Sequence, residues 1–222
     1  MSFAFLLLSL LIALLDWLAV ARHWKPLEFV AKPGVMLALL AWLYSTTELR
    51  GQSAWFALGL VFSLLGDVFL MLPREQFIAG LVAFLLAHLA YLIGFNPTFP
   101  PINLASLILA VLVGATVTRV YRLIVAGLLT SGQGHLKIPV LVYSAVISLM
   151  LLSALYTLVR PEWSEGAAWL ASSGAMLFFL SDTILAWNKF VHPLSNGRLL
   201  TMITYHLGQA LIVVGVTYQF RG

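Results

Sequence analysis

The sequence predicts an all-α fold, a polytopic membrane helix bundle of eight transmembrane helices forming one integral membrane domain over residues 1–222. Three observations carry that expectation. Of 222 residues, 62 % are hydrophobic and only 9 % charged, against about 25 % charged in ordinary soluble domains. That little charge cannot cover a soluble surface of this size. Charge-free runs of spanning length recur along the chain, and a spanning helix needs about 20 mostly apolar residues. The tryptophans Trp17, Trp24, Trp55, Trp163, Trp169 and Trp187 fall near the ends of those runs, as an interfacial belt does.

The spans follow in order. Residues 3–21 lack a basic leader and an A-x-A cleavage site, so they read as a first span rather than a removable signal. The second is short, 33–47, because Lys32 and Glu48 bracket it. The third, 51–73, carries only Asp67. Residues 76–118 hold no Asp, Glu, Lys or Arg, too long a run for one helix, and Asn96-Pro97 with Pro100-Pro101 divides it into a fourth and a fifth. Beyond it RVYRLIVAGLL extends the fifth helix or lies at the interface, and TSGQGH is a turn. The sixth span is 138–159, the seventh, 166–188, carries only Asp182, and the eighth is 199–220.

Loop charge sets the expected orientation. Arg22, Lys25, Lys32, Arg74, Arg119, Arg122, Lys137, Lys189 and Arg198 fall on the odd-numbered loops, whereas Arg50, Arg160 and Arg221 fall on the other face. The positive-inside rule puts the odd loops in the cytoplasm and both termini outside, and a bacterial cytoplasmic membrane is the expected location. The net charge of +4 is scattered without a basic run, so no nucleic-acid partner is expected. There is no cysteine, which excludes disulfides, thiol catalysis and thiolate metal sites.

Order and position also suggest a duplication. Lys32-Pro33 opens span 2 and Lys137-Ile138-Pro139 opens span 6; Asp67 and Asp182 mark spans 3 and 7; His88 and His206 mark spans 4 and 8. Two parallel four-helix halves would have this pattern.

The chemistry is expected at the two acids. A charged side chain in a bilayer helix costs roughly 2.5–3.5 kcal/mol even on lenient insertion scales, so it faces protein or water and serves a function. Asp67 and Asp182 each lie about five or six residues from the cytoplasmic end of a span, roughly 7–9 Å inside the boundary at about 1.5 Å per residue. His206, Tyr143 and Lys32 fall in the same layer, which describes a chamber open to the inner leaflet. Two carboxylates in one low-dielectric chamber cannot both ionise cheaply, so they offer one acid and one base. The small residues Gly66 and Ser181 before them permit close helix approach. Lys32 either snorkels to head groups or binds a phosphate. His88 and His206 are supporting residues, each satisfied by a neighbouring hydroxyl or carbonyl. No H-x-x-x-H or H-E-x-x-H spacing is present, and no metal or other cofactor is expected. Asp16 either joins the polar layer or meets the interface.

In this order the residues resemble the lysoplasmalogenase family, the YhhN-like multi-pass membrane proteins. The matching pieces are Lys32-Pro33, LGLVFSLLGDVFLML around Asp67, FIAGLVAFLLAHLAYLIGF around His88, PVLVYSAVISLM around Tyr143, GAMLFFLSDTILAWNKF around Asp182, and YHLGQALIV from Tyr205. The two aspartate blocks are the most specific, and Asn188 departs from an expected arginine-containing version. The resemblance implies an enzyme that hydrolyses the vinyl ether bond of lysoplasmalogens, lysophospholipids of the bilayer, to a fatty aldehyde and a glycerophospho-base. Two other functions use similar equipment: a proton-coupled carrier with intramembrane acids, and a metal-dependent lipid hydrolase using His88, His206 and the aspartates. Head-group preference and oligomeric state are not written in the residues.

Overall fold

The computed structural model describes residues 2–72 and 76–221, so Arg74, counted among the odd-loop charges, lies outside the described residues. Among the described residues, eight helices are long and apolar enough to cross a membrane. They are α1 (Ser2–Ala21), α2 (Lys25–Thr47), α3 (Ser53–Met71), α4 (Phe77–Phe95), α5 (Leu104–Thr130), α6 (Lys137–Tyr156), α7 (Glu165–Phe190) and α8 (Gly197–Phe220). Short 3-10 turns precede and follow α6, at Gly134–Leu136 and Thr157–Val159.

The second span differs from its expected bounds. It starts eight residues earlier, at Lys25, with a proline in its first turn and Pro33 inside it. Pro26 fits the first turn, where a missing N–H costs nothing. Lys32 does not end the helix because its ammonium is buried against a carboxylate, so it lies inside α2 rather than at its mouth. The break between α4 and α5 falls where the prolines put it, and Asn103 opens α5 with a capping box: its side chain accepts from the Ser106 N–H while Ser106 Oγ accepts from the Asn103 N–H. RVYRLIVAGLL continues α5 to Thr130.

Helices α2, α3, α4, α7 and α8 supply most of the core. Small residues bring α7 and α8 close together: a Cβ on Gly208 would lie 2.9 Å from the Gly174 carbonyl oxygen, an approach only small residues allow. Gly66 does not bring the two acids' helices together; it admits the Phe84 ring of α4. Ser181 ties α7 to α8, its Oγ donating to the Thr201 carbonyl at 3.1 Å. By contrast, only 11 % of the apolar window of α5 is buried, against 56 % for α8.

At the end bearing the even-numbered loops, Arg160 is buried and stitches two loops together. Its guanidinium donates to Thr98 Oγ1 (2.6 Å), Asn96 Oδ1 (2.8 Å) and Glu162 Oε1 (3.1 Å). Trp163, expected at the interface, is buried there between Phe95 and Phe220.

Candidate active site

Each acid stands on a helix that is otherwise apolar, and each meets polar side chains from other helices. Asp67 on α3 is buried. Lys32 of α2 approaches its Oδ1 to 3.0 Å as an ion pair, and Tyr205 of α8 donates to its Oδ2 at 2.7 Å. A cation and a hydroxyl on the two oxygens compensate a negative charge, which burial alone makes costly.

Asp182 on α7 is held differently. Tyr143 of α6 donates a short hydrogen bond to its Oδ2, and His88 Nε2 of α4 lies 3.2 Å from that oxygen and 3.0 Å from the Tyr143 hydroxyl. Both partners act on one oxygen, and the side chain keeps 14 % of its surface open. His88 itself is wholly buried behind the acid, edge-on to Tyr143.

Asp67 and Asp182 line one cavity of about 610 Å³ between α2, α3, α4, α7 and α8. Lys32 and Tyr205 line it with them, and Phe84, Leu70 and Met202 form apolar wall. Toward the ends of α2, α7 and α8 the lining becomes charged, with Lys25, Glu28, Lys189 and Arg198. Arg198 Nη2 donates to both oxygens of the buried Glu28, at 2.7 and 3.0 Å, joining α8 to α2 across the rim. Lys189 Nζ sits 4.5 Å above the centre of the Phe77 ring, a cation–π distance.

Of the six residues expected at the site, Lys32, Asp67 and Asp182 face the cavity, while His88 and Tyr143 reach it through Asp182. His206 does not. Its Nδ1 accepts from Trp17 Nε1 at 3.1 Å and lies 3.9 Å from Asp16 Oδ2, in a buried cluster between α1 and α8. Asp16 therefore keeps company with His206 rather than with the interface. The two histidines stand in different clusters, and among the described residues no three of His, Asp and Glu come together as metal ligands would.

Tyr205 is the residue that reading the sequence passes over in favour of its neighbour. Consecutive residues on a helix point about 100° apart, so only one can meet Asp67; nothing in the sequence alone gives the rotation of α8. A second buried chain runs beside it, where Tyr91 donates to Gln209 Oε1 at 2.6 Å and Gln209 Nε2 to Ser63 Oγ at 2.8 Å, linking α4, α8 and α3. Asn188, the departure from the family pattern, closes the turn after α7: its Oδ1 accepts the Leu194 N–H at 2.6 Å.

The profile of the YhhN family matches residues 27–216. "Lysoplasmalogenase TMEM86B" of Mus musculus is 34 % identical over 200 residues, covering 89 % of this chain and 78 % of its own. The protein of the same name from Sus scrofa is 36 % identical over 182 residues, covering 82 % and 72 %. "Lysoplasmalogenase" of Mycobacterium bovis is 28 % identical over 203 residues, covering 86 % and 69 %. No solved structure matches. Matched by the family profile from α2 into α8, and by these relatives over most of its length, the chain belongs to the YhhN family.

Proposed function

We propose that the protein is a membrane lysoplasmalogenase, hydrolysing the vinyl ether of a lysophospholipid to a fatty aldehyde and a glycerophospho-base. The observation that carries the reading is the pair of acids on one cavity, held in unlike surroundings, in a chain similar to proteins named for that activity. Asp67 is compensated by Lys32 and Tyr205 and serves as the carboxylate. Asp182 is partnered instead by Tyr143 and His88, which both occupy Oδ2 and leave Oδ1 as the place for an acidic proton.

The reaction then balances with one water. The Asp182 proton goes to the vinyl carbon remote from the ether oxygen, leaving an oxocarbenium ion whose charge faces the Asp67 carboxylate. Water adds to the carbon bearing the ether oxygen, and its proton passes to Asp67. The hemiacetal collapses as Asp67 returns that proton to the departing glycerol oxygen and Asp182 recovers one from the hemiacetal hydroxyl. Both acids end as they began. General acid–base catalysis of this kind supplies about 10²–10⁴-fold.

The charged rim suits the head group. Lys25 and Lys189 bring positive charge to the rim for a phosphate, while Arg198 and Glu28 neutralise each other and hold the rim together. We place this rim at the cytoplasmic surface, with both termini outside, because the loops around it carry most of the basic residues. The test is mass spectrometry of products after the purified protein meets lysolipids with vinyl ether, alkyl ether and ester links. Aldehyde from the vinyl ether alone is the expected result. Uptake of the lipid into proteoliposomes without aldehyde would point instead to a carrier.

A further inference from the structure

A second, smaller recess lies beside the charged cavity, between α4, α5, α6 and α7. It encloses about 60 Å³ and is lined by Val117 and Val120 of α5, Val140 and Ile147 of α6, and Phe179 and Ala186 of α7, among others. Three residues, Phe77, Asp182 and Leu185, line both this recess and the cavity. Its polar lining is Tyr143, Ser144, Asp182 and Thr183; of these Asp182 also lines the cavity, and Tyr143 donates to it.

We propose that this groove seats the hydrocarbon chain of the substrate, entering sideways from the bilayer, with the vinyl ether delivered to Asp182. The inference rests on the lysoplasmalogenase reading and adds to it where the chain lies. A lysoplasmalogen is polar at one end and apolar at the other, and the bond to be cleaved marks the boundary. Asp182 occupies the same boundary in the protein, with charged rim on one side and valine, isoleucine and phenylalanine on the other. An aliphatic chain laid out through the rim instead would displace water from Lys25, Glu28 and Arg198, which costs free energy.

The small enclosed volume means that the groove grips only the carbons next to the reacting bond. The rest of a long chain lies along α5, most of whose side chains are already exposed to the bilayer. Helix α5 is fixed at its inner end. A Cβ on Gly127 would fall 2.1 Å from the Phe190 carbonyl oxygen, so the two backbones touch there. Its buried residues are few: Ser106, Ile124, Gly127 and Leu128. The groove thus has a firm floor at α7 and a yielding outer wall.

Two measurements test this. A saturated alkyl-ether lysophosphatidylcholine carrying a diazirine on the chain, near the ether, should label Val117, Val120, Val140 or Ile147 in the intact protein. Labelling of α2 and α8 instead overturns the proposal, as does equal labelling of the groove by a diacyl phospholipid with the same probe, which would make it ordinary bilayer contact. Second, Val120→Trp should lower the ratio of long-chain turnover to that of a chain-free glyceryl vinyl ether by at least about tenfold, since filling a chain pocket discriminates by about 10–200-fold per methylene-sized mismatch. An unchanged ratio in the folded variant overturns it. Groove labelling by the alkyl ether probe without aldehyde release from any vinyl ether would keep the groove as a lysolipid site and reject the hydrolase.

Discussion

Lys32 and Asp67 form a buried ion pair 3.0 Å long between α2 and α3, with 5 % and 1 % of their side chains exposed. Neither charge would be tolerated alone at that depth. Removing one member of such a pair costs about 3–5 kcal/mol, because the other is left uncompensated. Lys32→Met should therefore lower the unfolding temperature in detergent sharply, and Lys32→Met combined with Asp67→Asn should recover most of the loss. The double variant should still release no aldehyde. Equal stability of the single and double variants would show that the pair is not coupled.

The acids themselves give the largest expected effect on turnover. Asp182→Asn and Asp67→Asn should each reduce aldehyde release by about 10³-fold or more, within the range that loss of general acid or base catalysis produces. Asp182→Asn should elute as the wild type does on size exclusion; Asp67→Asn, which leaves Lys32 without its carboxylate, is compared per folded molecule. Activity within a few-fold of wild type in either variant removes that residue from the chemistry.

Partners of the acids should have smaller effects that differ between the two histidines. His88→Gln and Tyr143→Phe each take a polar partner from Asp182 Oδ2 and should lower kcat by about 10–100-fold, with little change in KM. His206→Gln lies outside the cavity and should leave kcat within about threefold while altering stability, since a substitution that touches no reacting group acts through the fold. A deeper kinetic loss at His206 than at His88 would reverse that assignment.

Arg160 offers the opposite separation. It sits at the far end of the bundle from the acids and joins Asn96, Thr98 and Glu162. Arg160→Ala should cost about 1–3 kcal/mol of stability, the scale for leaving buried polar partners unsatisfied, with turnover per folded molecule unchanged. A thermal shift assay beside an activity assay on the same preparation decides this.

The two aspartates were legible in the sequence because a carboxylate in an apolar run stands out against everything around it. So were the eight spans, since length and charge mark their ends. Three kinds of feature were not legible. The true start of α2 was hidden because Lys32 looks like a helix terminus until its partner on α3 is known. Tyr205 was hidden by the ambiguity of helix rotation, which gave the expected role to His206 next door. The rim residues Lys25 and Arg198 read as ordinary loop charge, and only the packing of α2 against α8, with Glu28 paired to Arg198, turns them into the edge of a cavity. Trp163 shows the converse: its position suited the interface, but Phe95 and Phe220 enclose it. Each miss concerns which neighbour a residue meets, information held by helix packing rather than by local sequence.

Pro33 has one more effect. Lacking an N–H, it cannot bond to the carbonyl four residues before it, which belongs to Phe29, and Phe29 lines the same space as the acids. The Phe29 carbonyl thus receives no bond from position 33, one turn into α2 and on a residue that lines the chamber near its charged rim. An alanine at position 33 would supply that N–H and complete the helical ladder, so the proline loosens the turn of α2 that leads from the rim to Lys32.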